Sequence, residues 1–224
     1  MNTFTPGVMT KNDYAYAQLR DLILTGELSP GSPLQQGKLA KDFGLSTTPL
    51  REAIRRLAAE GLITLAAHRD ARVAEVTEKE AADLYQVRCQ LDPLAASLAA
   101  THRTEDELSG IIEAESLLVP LTEEGGVDGL LRHREFHRRI YRASHNPILV
   151  DMLERLWDKA DRYRIIGLQT RGDSPQDFQR VSAEHTELVT AIGDGDAERA
   201  QAVMERHIRG SLGNQAITVL QTSS

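Results

Sequence analysis

The chain has 224 residues, of which 41% are hydrophobic, and a formal net charge of −7, so it is long enough for one large domain or two modest ones. Its single cysteine excludes an internal disulfide framework. No apolar run approaches the roughly 20 residues needed to span a bilayer, and residues 1–30 lack the pattern of a secretory signal, so we expect a soluble, cytoplasmic protein with no membrane partner.

The first third of the chain predicts a small module of helices and strands. Residues 1–10 show no periodic apolar pattern, so we expect a flexible arm. Two short β-prone segments around a polar turn at residues 67–70 predict a two-stranded wing. Helices are predicted at 13–25, at 36–43 and from a start within 46–49 up to Gly61, and a glycine terminates each of them. Strands are predicted at 62–66 and 71–76.

From Thr77 onward the pattern predicts helices only, because apolar residues recur at spacings of three and four. The clearest break is Asn146-Pro147, since asparagine tolerates the left-handed conformation and proline suits the start of the next helix. A tail is expected at 214–224. The predicted helices are 78–100, 104–120, 127–144, 147–170, 175–193 and 196–213.

The two parts of the chain differ in charge. Residues 11–76 carry nine basic and eight acidic side chains, whereas residues 77–224 carry 17 basic and 25 acidic ones. The acidic balance therefore belongs to the second part. It does not exclude nucleic acid as a partner of the first part, because affinity depends on local basic stripes and phosphate contacts.

Two short helices, a glycine-containing turn, a third helix with arginines and a wing predict a winged helix-turn-helix at residues 11–76. An α-helix fits the major groove, and the residues at its N-terminus reach base edges. The alternative is a solvated arginine face on an ordinary small helix. The candidate DNA contacts are Thr47, Thr48, Arg51 and Arg55 on the third helix and Arg69 in the wing.

The segment LAKDFGLSTTPLREAIRRLAAEGLI resembles the DNA-binding signature of the GntR family of bacterial regulators. In that family the helix entry commonly reads Ser-Arg-Thr-Pro-Val-Arg-Glu-Ala. Arg51 matches a DNA-contacting arginine of the family, but Thr47 stands where a base-reading arginine is usual. Gly37 and Asp70 also replace a frequent arginine and the usual wing glycine. The resemblance therefore implies an atypical operator or weaker binding.

Four histidines of the second part predict a metal site. His133 and His137 stand one helical turn apart, and His185 and His207 follow on two later predicted helices beside apolar residues. Neutral imidazoles that converge from separate helices are typical ligands of a transition-metal ion. A single inward histidine is more simply a core residue, but four together favour the metal. A metal that only ties the helices together is the alternative.

These helices resemble the FCD domain, the all-helical ligand-sensing domain of the FadR-like branch of the GntR family. Its pattern of Asp-x-x-Phe-His, then Glu-His, then a late histidine is met at residues 133–137, at 184–185 and at His207. His133 departs from the pattern, since aspartate is the usual ligand there. If His133 coordinates, four imidazoles would favour zinc, nickel or copper, with zinc first and nickel as its alternative, over the oxygen-preferring manganese and magnesium. If His133 does not coordinate, three histidines leave open positions for water or a ligand.

The resemblance implies that a small organic acid binds beside the metal and alters DNA affinity. Arg88 is the best candidate for a carboxylate contact, because a guanidinium binds that group in a bidentate way. An ion pair with Asp92 at i+4 accounts for Arg88 equally well. Arg162 and Arg164 are weaker candidates.

A metal-dependent hydrolase is the enzymatic alternative, and the motifs oppose it. The pattern His-Glu-x-x-His needs glutamate at 134, where the chain has arginine, and Phe136 breaks the reversed pattern. No nucleophile elbow or phosphate loop is present, so no catalytic residue is assigned. We therefore predict a mainly α regulator that binds operator DNA as a homodimer, with an all-helical sensor bundle at residues 77–213.

Overall fold

The structure is a computed structural model, and it describes residues 10–65, 71–121, 126–170 and 174–211. The chain divides into two compact units, Met1–Glu75 and Val76–Ser224. Several sequence-based predictions lie outside the described residues: the flexible arm apart from Thr10, the polar turn that contains Arg69 and Asp70, and the tail at 214–224.

The first unit is a winged helix-turn-helix, as the sequence predicts. The strands are antiparallel, with Ile63 opposite Val73. Helix α3 buries Leu50, Ile54 and Leu57 on one face and leaves its arginines in solvent. The elements of this unit are α1 (Lys11–Leu24), α2 (Gln36–Asp42), α3 (Thr47–Ala59), β1 (Ile63–Leu65) and β2 (Ala71–Val73).

The start of α3 has no side-chain cap. Ser46 is the N-cap residue, but its hydroxyl makes no capping hydrogen bond. The position three residues later is Pro49, which has no N–H for that hydroxyl to accept. The first turn of α3 is therefore fixed by the backbone preference of proline and by burial of Pro49 rather than by a capping side chain.

The second unit is an all-helical bundle, which confirms the predicted fold class. Its longest helix buries Ala95, Ala96, Ala99 and Ala100, and these small side chains allow close packing against the last helix. Within the described residues, no helix has the length and apolar character needed to cross a membrane. The helices are α4 (Glu78–His102), α5 (Glu105–Ser116), α6 (Gly126–Ala143), α7 (Pro147–Thr170), α8 (Pro175–Asp194) and α9 (Ala197–Arg209).

Several boundaries in the bundle depart from the sequence pattern, among them the end of α9 at Arg209 rather than at residue 213. Helix α5 ends at Ser116 rather than at residue 120, since Pro120 disfavours helical backbone in the residue before it. Between α6 and α7 the left-handed residue is His145, with φ +54°, and not Asn146. Asn146 is used differently, because its side-chain oxygen accepts from the Leu149 amide and so caps α7.

Candidate functional site

The bundle brings the four predicted histidines together. His133 and His137 lie on one face of α6, while α8 supplies His185 and α9 supplies His207. All four are buried, and His137 has no exposed surface. Phe136, next to His137, is also fully buried, so burial of this face of α6 carries both histidines inward.

The histidine geometry fits a metal ion. Each side chain offers one ring nitrogen such that these four atoms lie within 4.8 Å of one another. The ring centroids of His133 and His137 are 4.6 Å apart, as are those of His185 and His207. Ligands of a tetrahedral ion at about 2.0 to 2.1 Å lie about 3.4 Å apart, so ring movements below about 1 Å would close the set.

Hydrogen bonding supports the same interpretation. Among the described residues, Nδ1 of His133, both ring nitrogens of His137 and Nε2 of His185 are buried without a hydrogen-bond partner. A buried polar atom left unsatisfied costs about 1 to 3 kcal/mol. Several such atoms in one place are unusual in a folded core, and imidazole lone pairs are suitable donors to a transition-metal ion.

His207 is oriented by a carboxylate. Its Nδ1–H donates to Oε2 of Glu184 at 3.0 Å, which leaves Nε2 directed to the other side of the ring. Glu184 is held in turn by Nη1 of Arg180, 3.0 Å from both of its oxygens. A carboxylate behind a histidine fixes the tautomer and increases the basicity of the opposite nitrogen, as in many metal sites.

The environment of three of the histidines disfavours their protonated forms. Burial holds the pKa of His133, His137 and His185 well below the ordinary value of 6.5. The Arg164 guanidinium and the neighbouring histidines lower the pKa of His133 further. Neutral imidazoles have free lone pairs, so these side chains can act as ligands without first losing protons to the solvent.

Arg88 lies in a buried network that adjoins the cluster. Its Nη2 donates to Oδ2 of Asp92 at 2.7 Å, and its guanidinium stacks 4.6 Å from the ring centre of Trp157. Trp157 in turn contacts the rings of His133 and His137. The Asp92 ion pair, one of the two arrangements open from the sequence, is thus present, while a contact between Arg88 and an acid stays a prediction.

The weaker arginine candidates separate in the structure. Arg164 stacks on Trp157, with 4.7 Å to the ring centre, and its charge acts on the cluster. Arg162 contacts the carboxylate of Glu80 at 3.3 Å. Arg164, which also pairs with Asp161 at 3.5 Å, therefore lies beside the histidine cluster, and Arg162 has a local ion-pair role.

A small cavity gives the cluster an opening. Its volume is about 60 Å³, and His133 and His185 form part of its wall. A water molecule needs roughly 10 to 15 Å³ by this measure, so the cavity holds several light atoms. The rest of the wall is mostly apolar and comprises Glu115, Leu118, Val119, Leu121, Phe178, Val181 and Ser182.

The candidate DNA contacts are exposed at the start of α3. Thr47, Thr48 and Arg51 are exposed, and Arg51 has no ion-pair partner among the described residues. Arg55, also exposed, pairs with Glu52 at 2.7 Å. Because that pair is solvated, its contribution to stability is small and DNA phosphates can compete with it.

Sequence reasoning missed two contributors to the histidine cluster. Glu184 was visible only as part of a Glu-His dipeptide, and its hydrogen bond to His207 depends on how α8 and α9 pack. Trp157 is the single tryptophan of the chain, and its position beside the histidines depends on α7. Neither contact follows from spacing along one helix.

Comparison with protein-family models matches both units. The model described as "FCD domain" matches residues 83–210. The model described as "Bacterial regulatory proteins, gntR family" matches residues 11–73.

Curated relatives extend the likeness over most of the chain. The chain is 29% identical to the HTH-type transcriptional repressor GlaR of Escherichia coli (strain K12), covering 86% of this chain and 90% of GlaR. It is 30% identical to the probable D-xylose utilization operon transcriptional repressor of Paenarthrobacter nicotinovorans, covering 88% and 86% of the two chains. The solved structure of E. coli McbR/YncC has a TM-score of 0.76 at 24% identity, covering 96% and 99%, and supports the fold.

The lowered histidine pKa values predict how the metal-free protein responds to acid. Below about pH 6.5, these histidines bind protons in the unfolded chain but stay neutral in the folded one. The free energy of unfolding is therefore highest above that pH and decreases as the pH falls. In the presence of a chelator, we expect the Tm to fall by at least about 3 °C between pH 7.5 and 5.5.

Differential scanning calorimetry of His137→Phe tests this cause. The variant removes one buried titrating ring from an aromatic environment, so its Tm should depend less on pH. The exposed His102→Gln should keep the wild-type dependence. A Tm that is independent of pH in the wild-type protein would contradict the prediction.

Proposed function

This chain belongs to the GntR family of bacterial transcriptional regulators, with an FCD domain after its DNA-binding module, and we propose that a divalent metal at its four histidines makes it a sensor of a small organic acid. It is a DNA-binding regulator rather than an enzyme, as its relatives are. The convergence of four buried imidazoles carries the proposal. Zinc suits this donor set, with nickel as the alternative.

The proposed ligands are His133, His137, His185 and His207. The bound ion would supply positive charge for an anionic effector. Neutral imidazole ligands do not offset that charge. The carboxylate of Glu184 contacts Nδ1 of His207 and would not bind the ion directly. The cavity beside His133 and His185 offers the acid a short route from solvent.

The charge of nearby arginines favours an anion at the same place. Arg164 acts on His133, His137 and His185, and Arg88 acts on His137. Both guanidinium groups are almost fully buried, where an electrostatic interaction is weakly screened. Each of the two also has an ion-pair partner, since Arg88 lies 2.7 Å from Asp92 and Arg164 lies 3.5 Å from Asp161.

The proposed response is a shift between arrangements of the sensor helices. The cluster joins α6, α8 and α9, and the Tyr141 hydroxyl on α6 donates to Asp92 on α4 at 2.7 Å. An acid that binds one arrangement more tightly increases its population. We propose that the protein acts as a homodimer whose two wings meet two half-sites, so this shift changes operator affinity.

His185→Ala tests the sensor. The variant should lose bound metal, measured per chain by native mass spectrometry, because it removes one of four ligands and the only one from α8. Operator affinity without acid should stay within about 3-fold of wild type, since the substitution lies outside the DNA-binding unit. The effect of carboxylic acids with two to six carbons on operator affinity should disappear.

His102→Ala is the matched control, because His102 is an exposed histidine outside the cluster. It should keep both the metal and the response. An unchanged acid response in His185→Ala would contradict the sensor proposal. A wild-type response that survives metal removal by a chelator would assign the metal a structural role only.

Arg51→Ala tests the DNA half. Loss of a guanidinium from a base edge or phosphate should weaken operator binding by roughly 10- to 100-fold, measured by fluorescence anisotropy at fixed salt. Arg142→Ala is the control, since Arg142 is an exposed arginine on α6 in the other unit. Equal affinities of wild type and Arg51→Ala would contradict the placement of α3 in the groove.

A further inference from the structure

Helix α9 ends at a glycine that its backbone conformation does not require. Gly210 has φ −91° and ψ 5°, a conformation that most residue types adopt in turns. At the end of α8, by contrast, Gly195 has φ +72°, in the left-handed region that favours glycine. Backbone strain therefore accounts for the glycine at position 195 but not for the one at position 210.

The constraint at Gly210 is the close approach of the Arg180 side chain. A Cβ atom built on Gly210 would lie 2.7 Å from Nη1 of Arg180 and 3.1 Å from its Cζ. Nη2 of the same guanidinium donates to the carbonyl oxygen of Gly210 at 2.8 Å. The guanidinium therefore occupies the space that a side chain at position 210 would need.

The same guanidinium holds the carboxylate that contacts His207. Nη1 of Arg180 lies 3.0 Å from both oxygens of Glu184, and Oε2 of Glu184 lies 3.0 Å from Nδ1 of His207. Burial raises the pKa of Glu184, but the contacts with His207 and Arg180 outweigh it and lower the pKa below its ordinary value. An ionised carboxylate only accepts hydrogen bonds, so Nδ1 of His207 carries the proton and Nε2 keeps its lone pair.

We use the name Arg180 clamp for the three residues Gly210, Arg180 and Glu184. We propose that the Arg180 clamp positions His207, so that its imidazole has one tautomer and one orientation toward the other three histidines. Glycine leaves room for the guanidinium, the guanidinium fixes the carboxylate, and the carboxylate fixes the imidazole. The effect of the clamp on a bound metal rests on the proposed function, whereas its effect on the tautomer does not.

The charge of Arg180 does not explain its place beside the cluster. Burial is the main cause of the lowered pKa of His185, and the positive charge of Arg180 lowers it further. The same charge would oppose a cation at the histidines, so a pure charge effect predicts stronger metal binding when Arg180 is removed. A planar guanidinium can instead hold the carbonyl at the end of α9 and the carboxylate of α8 in one geometry. The two roles therefore predict changes of opposite sign.

Gly210→Ala tests the clamp without a change of charge. The added methyl group displaces the guanidinium, so zinc affinity, measured by competition with a chromophoric chelator, should fall roughly 10-fold. The substitution should have no further effect in an Arg180→Met background, because the glycine acts only through that side chain. Gly193→Ala on α8 is the matched control, since a Cβ atom there would make an ordinary contact with Leu108 at 3.8 Å. It should keep the wild-type affinity.

A second pair of variants separates positioning from the joining of α8 to α9. Arg206 on α9 is exposed and donates to Glu187 on α8 at 2.7 Å, so it also links these helices. Arg180→Met should weaken zinc binding, whereas Arg206→Met should leave it unchanged. A zinc affinity that rises in Arg180→Met would assign that residue a charge effect and overturn the clamp.

The tautomer of His207 gives a readout that needs no metal. NMR of the imidazole nitrogens in the metal-free protein should show the proton on Nδ1 of His207 in the wild type and in Gly193→Ala. Gly210→Ala should show a mixture of the two tautomers, and a variant that keeps the wild-type tautomer would overturn the clamp. If the tautomers change as expected but the wild type binds no zinc, the clamp is supported and the proposed function is contradicted.

Discussion

The packing of the bundle depends on which partners the ring nitrogens of its four buried histidines have. Most buried polar atoms in proteins have hydrogen-bond partners, yet nitrogens of His133, His137 and His185 have none among the described residues. Burial also holds these side chains neutral, so no charge compensates the loss of water. A bound cation would convert an unfavourable cluster into a cross-link between α6, α8 and α9. If the proposed metal binds there, its affinity and the packing of these helices would be coupled.

Helix α4 connects that cluster to the outside of the unit. Its inner face holds Asp92, which has no exposed surface and accepts from both Arg88 and Tyr141. Breaking a buried ion pair by removing one partner typically costs about 3 to 5 kcal/mol, so this contact resists small changes. Stiff contacts transmit displacement better than loose ones, because a packed core changes between discrete arrangements.

Local patterns allowed much of the fold to be predicted, and packing between helices decided the rest. The i, i+4 spacing of His133 and His137 fixes their common face, so this half of the histidine cluster followed from the sequence. Whether Arg88 met Asp92 or an acid did not follow, because both fit the same guanidinium. The left-handed backbone at His145 was also missed, since Asn146 is needed as a cap and the preceding residue closes the turn instead.

In the DNA-binding unit, Gly37 and Thr47 depart from the family pattern, and packing does not require either of these small residues. A Cβ atom built on Gly37 would meet nothing within 4 Å, and Thr47 is exposed at the first turn of α3. Gly37 is exposed as well, so neither position is enclosed by the buried residues of this unit. If α3 enters the major groove as proposed, these shorter residues would bear on base recognition rather than on the packing of the unit.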